Sequence, residues 1–456
     1  MADNLKKCME YIKKAMEWDF LAPVLLGVMT LFWLLNLTYI SVLAMAIVVA
    51  VILLTCEDVK NIFIPIIYIS FFLNDIAVDA NIVIYGIAVG IVAVSMIAFI
   101  VIKLCKDRAT LKKGNMFWAF VVSTIAFLLG GCIGHFNIKA FGAIFGFCLL
   151  TYFLYWIAIN FCNNFQKFLF RLMMYGAIFI VVIFCATGER LGGLYSAVFN
   201  YSILWVGAQH INTTATFLVF GIIGTFAVGH KNKFDYLYFL LGTFLMFALL
   251  FTFCRLMIFI GILTYITLTV IMIVKSQKKK NFIWAGIALL LTIALLSIIF
   301  WDSVMALINQ IISKIERGSN GRSELWPWCI EKFRQNPIFG FGFVSDEPVP
   351  TVRNVIQLVL AHNTVLQWLT SLGIVGSVLM IYFYYKKYQI IFTRPLLTKL
   401  FSIITLIVIE LNGMLDQTAA MDIFVVILTY LFIAACEKET PQIKKINLFK
   451  KKKRAN

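Results

Sequence analysis

Six basic side chains invite a chemical reading because they lie outside, or at the very ends of, long apolar runs: Arg190, His210, Arg255, Arg322, Arg353 and His362. Four carboxylates, Glu189, Glu324, Asp346 and Glu347, accompany them. Paired arginines can neutralise a diphosphate through bidentate hydrogen bonds without a metal. A neutral imidazole can take a proton as general base. His362 directly precedes Asn363 and Thr364, where an apolar run begins. Asn is a good N-cap, so this histidine is expected at the positive end of a helix, which favours the neutral ring. Arginines with one histidine therefore point to an anionic leaving group and proton removal from an acceptor.

Each candidate has a plainer reading. Arg255 lies in Phe251-Thr-Phe-Cys-Arg-Leu256, a tight connection between two apolar runs. An arginine there is costly unless it faces a wet cavity or an anion, or snorkels to the interface. Arg190, in Thr187-Gly-Glu-Arg-Leu-Gly-Gly193, can pair with a nearby carboxylate, and Arg322, before Glu324 and Trp326, can be a helix-end surface residue. His210, Arg353 and Glu324 are secondary candidates. The ten cysteines form no CxxC pair and no Cys/His cluster, and neither a phosphate-binding glycine loop nor a dinucleotide fingerprint occurs. No metal site and no cofactor are expected.

The elements that must position these residues follow from composition. Of 456 residues, 62% are apolar and 13% charged, against roughly 25% charged in soluble domains. One core cannot hide that much apolar surface, so lipid must cover it. Fourteen apolar runs can be counted: 20-36, 38-55, 61-73, 80-102, 115-133, 141-160, 168-187, 213-229, 234-252, 256-274, 282-301, 364-385, 399-414 and 418-435. The third is short, so the expected fold class is an all-α polytopic membrane protein with 12–14 transmembrane helices.

With the N-terminus in the cytoplasm, the cytoplasmic segments hold 30 of the 39 Lys and Arg and 10 of the 22 Asp and Glu. The net charge of +17 then divides into +20 inside and −3 outside, which obeys the positive-inside rule with both termini cytoplasmic. Residues 1-17 carry too much charge for a cleaved leader. The basic run Lys450 to Arg454 lacks interleaved aromatics, so it reads as an orientation signal at anionic headgroups rather than a nucleic-acid arm.

The expected organisation is a cytoplasmic segment 1-19, membrane helices over 20-301, an extracytoplasmic catalytic loop 302-363, three more helices over 364-435, and a basic cytoplasmic tail 436-456. Within the loop, Val304, Leu307, Ile308, Ile311, Ile312 and Ile315 fall at helical spacing, so that piece should lie along the membrane surface. Gly318-Ser-Asn-Gly321 breaks it, a second helix is expected over Arg322 to Gln335, and the turn Asn336-Pro-Ile-Phe-Gly-Phe-Gly342 follows. A third amphipathic piece is expected with Val352, Val355, Ile356, Val359 and Leu360 on one side, ending at His362. Glu410, the clearest acid inside an apolar run, reads either as an interfacial carboxylate near Asn412 or as part of a site.

These motifs resemble the O-antigen ligase and O-antigen polymerase family of bacterial membrane glycosyltransferases. Arg322-Ser-Glu-Leu-Trp326, Asn336-Pro-Ile-Phe-Gly-Phe-Gly342, His362-Asn363 with Leu366-Gln367, and Gly373-Ile-Val-Gly376 carry the resemblance. Arg190-Leu-Gly-Gly193, followed by Asn212, is a weaker match, and Cys254-Arg255 resembles the family's Ser-Arg pair with Cys for Ser. The resemblance covers roughly Arg190 to Gly376.

It implies a GT-C-like, metal-independent, inverting glycosyltransferase that takes glycan from undecaprenyl diphosphate at the outer face of the bacterial plasma (inner) membrane. By the same resemblance, Arg190 and Arg255 would bind the diphosphate, His362 would take the acceptor hydroxyl proton, and Arg322 would orient His362 or the glycan. The expected activity is surface-polysaccharide polymerisation, of O-antigen or capsule type. A ligase moving finished polymer, as in lipopolysaccharide synthesis, to a lipid or cell-wall acceptor is the close alternative, and a flippase or exporter of lipid-linked glycan the alternative of another class. The expected partners are the undecaprenyl-diphosphate-linked glycan, an acceptor glycan and the bilayer, with flippase and chain-length regulator proteins as further candidates and no nucleic acid.

Overall fold

The computed structural model of the chain describes residues 2–18, 20–69, 82–107, 110–133, 145–190, 193, 205–206, 209–230, 232–276, 278–316, 321–345, 349–350, 357–359, 361–393, 396–415 and 423–438. The described residues are almost entirely helical. The exceptions include two two-residue antiparallel ladders, β1 (Trp205–Val206) with β2 (Gln209–His210) and β3 (Val344–Ser345) with β4 (Gln357–Leu358).

Each apolar run overlaps a helix. In chain order these are α2 (Leu21–Leu34), α3 (Thr38–Thr55), the short α4 (Phe63–Tyr68), α5 (Ile82–Asp107), α6 (Phe117–Ile133) and α7 (Thr151–Phe161). They continue with α8 (Phe165–Arg190), α9 (Ile211–Gly229), α10 (Asp235–Leu250), α11 (Arg255–Lys275), α12 (Lys279–Ile299), α15 (Thr364–Phe392), α16 (Leu396–Leu415) and α17 (Ile423–Lys438). Among the described residues seven helices are individually long and apolar enough to cross a membrane, and four shorter apolar ones accompany them. The chain is a membrane protein. The short α4 carries Pro65, and the rest of its run, from residue 70, lies outside the described residues.

The polar N-terminus forms α1 (Ala2–Met16), which the apolar pattern does not announce. It is fixed to the connection after α3: Lys13 Nζ pairs with Glu57 Oε1 at 2.9 Å, and Asn61 Nδ2 donates to the Met16 carbonyl at 2.6 Å. The centre of the bundle is α9, whose described side chains are nearly all buried and which packs against α8, α10 and α11. Two glycines permit that proximity. A Cβ at Gly221 would lie 2.0 Å from the Ala177 Cβ, and one at Gly224 would lie 2.5 Å from the Phe170 carbonyl oxygen. Small residues are how membrane helices approach at backbone distance.

The loop helices α13 (Trp301–Glu316) and α14 (Arg322–Gln335) form where the sequence pattern puts them. On α13, Ile308 and Ile312 are 42% and 48% exposed, leaving an apolar face uncovered by protein. The third amphipathic helix is corrected. Gln357–Leu358 is extended and pairs with β3, and Val359 donates its N–H to the Phe343 carbonyl at 2.9 Å. Branched residues such as Val and Ile suit a paired strand as well as a helix face, and the backbone of residues 343–345 supplies the partner. Val352, Val355, Ile356 and Leu360 lie outside the described residues.

Candidate functional site

Two sequence motifs thirty residues apart form one structural unit. Helix α15 is broken at Gly373, which adopts φ 63° and ψ −166°. A break inside an apolar helix leaves carbonyls and N–H groups that must find partners. The turn after α14 supplies them. Phe341 and Gly342 donate to the Thr370 and Ser371 carbonyls at 2.7 and 3.2 Å, while Ile374 and Val375 donate to the Pro337 and Ile338 carbonyls at 2.9 and 3.1 Å. The approach is possible only without side chains: a Cβ on Gly340 would lie 2.5 Å from the Ser371 carbonyl carbon, and one on Gly373 would lie 2.5 Å from the Gly340 nitrogen. Gly340 also has φ 81°, a left-handed conformation that glycine adopts at little cost.

His362 stands at the head of α15. Asn363 is the N-cap, its side chain accepting from the Leu366 N–H at 2.9 Å as expected from its position. The Asn363 Nδ2 donates to the Met414 carbonyl at 2.8 Å, and the Thr364 hydroxyl donates to the Gly413 carbonyl at 2.9 Å. The start of α15 is thus fastened to the end of α16. The next residue back, Asn412, donates from Nδ2 to the Thr216 hydroxyl at 3.1 Å, which joins the end of α16 to the first turns of α9.

His362 itself has φ 48° and is half-buried. For a non-glycine residue that conformation costs on the order of 1–3 kcal/mol and persists where surroundings impose it. Just before it, the Ala361 N–H donates to Gln367 Oε1 at 2.9 Å, and the Ala361 carbonyl accepts from Trp326 Nε1 at 2.9 Å. Leu325, Cys329, Val349 and Ala361 form a small core of their own beside the membrane bundle, with Trp326, Trp328 and Leu366 packed on it. This core joins α14 to the head of α15.

Arg322 is the first residue of α14, half-buried, directly after Gly321 at φ 79°. Trp326 lies one turn later, so the indole bond to Ala361 ties the helix that carries Arg322 to His362. Glu324, between them in sequence, is exposed. Arg255 is the first residue of α11 and half-buried, entered through Phe253 at φ 51° and an extended Cys254. Arg190 is the last residue of α8, and His210 ends β2 against the start of α9, but the side chains of both lie outside the described residues. Arg353, Asp346 and Glu347 lie wholly outside them. Arg190 closes, and Arg255 opens, a helix packed on α9, whose first turns reach the α16 end that holds Asn363.

Glu410 has a partner that the sequence pattern does not show. It forms an ion pair with Lys387, whose side chain is 3% exposed although the sequence pattern assigns Lys387 to a solvated cytoplasmic segment. The apolar run reaches only residue 385, while α15 continues to Phe392 and carries Lys387 inward. The pair lines a small cavity with Tyr384, Tyr430 and Trp368. Trp326 and Gln367 stand in the motifs that carry the resemblance but receive no role of their own from the sequence, and Lys387 stands in none. For Gln367 a signal exists: an amide inside an apolar run needs a buried partner. Among the described residues no three His, Cys, Asp or Glu side chains gather where a metal could be held.

The family described as O-Antigen ligase matches residues 239–381, from within α10 to the middle of α15. The match takes in Arg255, Arg322, Glu324, Arg353 and His362 and leaves out Arg190 and His210. No curated protein matches the chain. The matched stretch contains the turn–helix unit, the small core and the histidine before the Asn363 cap described above. Over this stretch, residues 239–381, the chain is similar to the O-antigen ligase family, and that similarity supports a surface-polysaccharide-related membrane enzyme.

Proposed function

We propose that the chain is a surface-polysaccharide polymerase: it moves glycan from undecaprenyl diphosphate to a sugar hydroxyl of an acceptor glycan at the outer face of the bacterial plasma membrane. The proposed frame is GT-C-like, with fourteen spans, both termini cytoplasmic and residues 302-363 as the catalytic loop. The observation that carries the reading is the half-buried His362, next to the Asn363 cap and joined through Ala361 to the helix that begins with Arg322, inside the matched stretch.

In the proposed reaction His362 takes the proton of the acceptor hydroxyl. The freed oxygen bonds to the anomeric carbon from the face opposite the diphosphate, and the bond from that carbon to the diphosphate oxygen breaks. The anomeric centre inverts. Undecaprenyl diphosphate leaves with both bonding electrons, and Arg190 and Arg255 offset its charge. Arg322 orients His362 or the glycan. No metal or cofactor takes part in this scheme.

Purified protein given a synthetic lipid-diphosphate repeat unit tests the reading. A ladder of products supports polymerisation, and a single transfer to a different acceptor supports the ligase alternative. His362→Ala should lower turnover by about 10²- to 10⁴-fold, and Arg255→Ala should lower it as well; full activity in both would refute the site. One observation favours a second reading, export of lipid-linked glycan: the buried Lys387–Glu410 pair in a cavity among the helices, since charges at membrane depth mark transport paths. Movement of lipid-linked sugar across vesicles with no new glycosidic bond would establish that reading instead.

A further inference from the structure

Ala361 is hydrogen-bonded on both of its backbone groups to buried or half-buried side chains, one on each side of it in sequence and in space. Its carbonyl, part of the peptide that leads into His362, accepts from Trp326 Nε1 at 2.9 Å. Its N–H donates to Gln367 Oε1 at 2.9 Å. Gln367 has no exposed surface, and its other amide atom donates to the Ser371 hydroxyl at 2.7 Å. The residue after His362 is held as well, because the Asn363 carbonyl accepts from the Gln367 N–H at 2.8 Å and the Asn363 side chain makes the cap. The backbone is therefore held on both sides of His362, at Ala361 and at Asn363, with His362 itself at a left-handed φ of 48°.

A buried amide in an apolar setting costs free energy unless all its polar atoms are matched. An apolar residue of similar size would pack at position 367 without that cost, yet Gln367 spends its oxygen on Ala361 and its nitrogen on Ser371. Trp326 lies four residues after Arg322 on α14, so its indole sets that helix against the histidine. We infer that Trp326 and Gln367 are positioning residues: as a clamp on Ala361 they aim the His362 imidazole at the acceptor hydroxyl and set Arg322 relative to it. The inference rests on the reading of His362 as the base.

Trp326→Phe removes one N–H and keeps the ring, and Gln367→Met keeps the length and removes both polar atoms. Each should lower kcat about 10- to 100-fold, the scale of a small misplacement of a reacting group, with the KM for the lipid-diphosphate repeat unit within about twofold of wild type. Loss of fold alone would instead lower the amount of active protein. A second readout does not depend on activity: the chain has four histidines, so ¹³C-labelled imidazoles give four resolvable signals, and the one missing in His362→Ala identifies His362. That signal should shift or split in both variants. Wild-type kcat together with an unmoved His362 signal in Trp326→Phe, which perturbs the fold least, would overturn the clamp. Full activity of His362→Ala would refute the base instead, while the histidine signal would still decide the clamp.

Discussion

At the scale of single residues, helix starts decide where the charged groups sit. Asn363 caps α15 through its own side chain, whereas Cys254, at the corresponding position of α11 before Arg255, makes no side-chain cap hydrogen bond. A thiol is a weak acceptor, and serine is among the best caps. Cys254→Ser should therefore raise stability by about 0.5–1 kcal/mol, read as a higher midpoint in thermal unfolding of the detergent-solubilised protein. An unchanged or lower midpoint would show that Cys254 is held by packing that the hydroxyl cannot replace. The cap at Asn363 is legible from residue type alone, since Asn before an apolar run has few other uses. The Trp326 bond is not, because its acceptor is the carbonyl of Ala361, 35 residues away, and a carbonyl leaves no trace in sequence.

At the scale of elements, the bounds of α14 are written in its flanks: a glycine-rich break before Arg322 and Asn336-Pro337 after Gln335. The break in α15 is not so visible. Gly373-Ile-Val-Gly376 reads as an ordinary small-residue step in a span, and only the second chain segment wedged against it shows why the helix opens there. Gly373→Ala would bring a Cβ to 2.5 Å from the Ile338 carbonyl oxygen, at a φ of 63°. Strain and overpacking together should cost about 2–5 kcal/mol. Gly286, in the open on α12, has no atom near its added Cβ, so Gly286→Ala should be neutral in the same unfolding measurement. Equal effects from the two substitutions would contradict the tight approach. The strand at Gln357–Leu358, where a helix is expected, has a related cause, since apolar periodicity cannot tell a helix face from a strand that meets a partner.

At the scale of the whole molecule, the apolar runs convert to helices almost one for one, because the need to satisfy backbone groups in lipid leaves little else for them to form. Lateral order among the helices is not legible, as it depends on contacts such as Asn412 with Thr216 and Lys387 with Glu410. Lys387→Met would leave Glu410 without its buried partner and should destabilise by about 3–5 kcal/mol. The double variant Lys387→Met with Glu410→Gln should recover most of that loss in thermal unfolding, and failure to recover would show that the pair does more than neutralise itself. The exchange of hydrogen bonds between residues 337–342 and the α15 break also has a mechanical meaning. It welds the second half of the loop to a membrane helix, so that Arg322's helix and His362 travel as one rigid body with the bundle. The first half of the loop lacks such a weld among the described residues: α13 lies there with its isoleucines uncovered, so on the proposed reading a lipid-linked donor would enter past α13 while His362 and Arg322 keep their places.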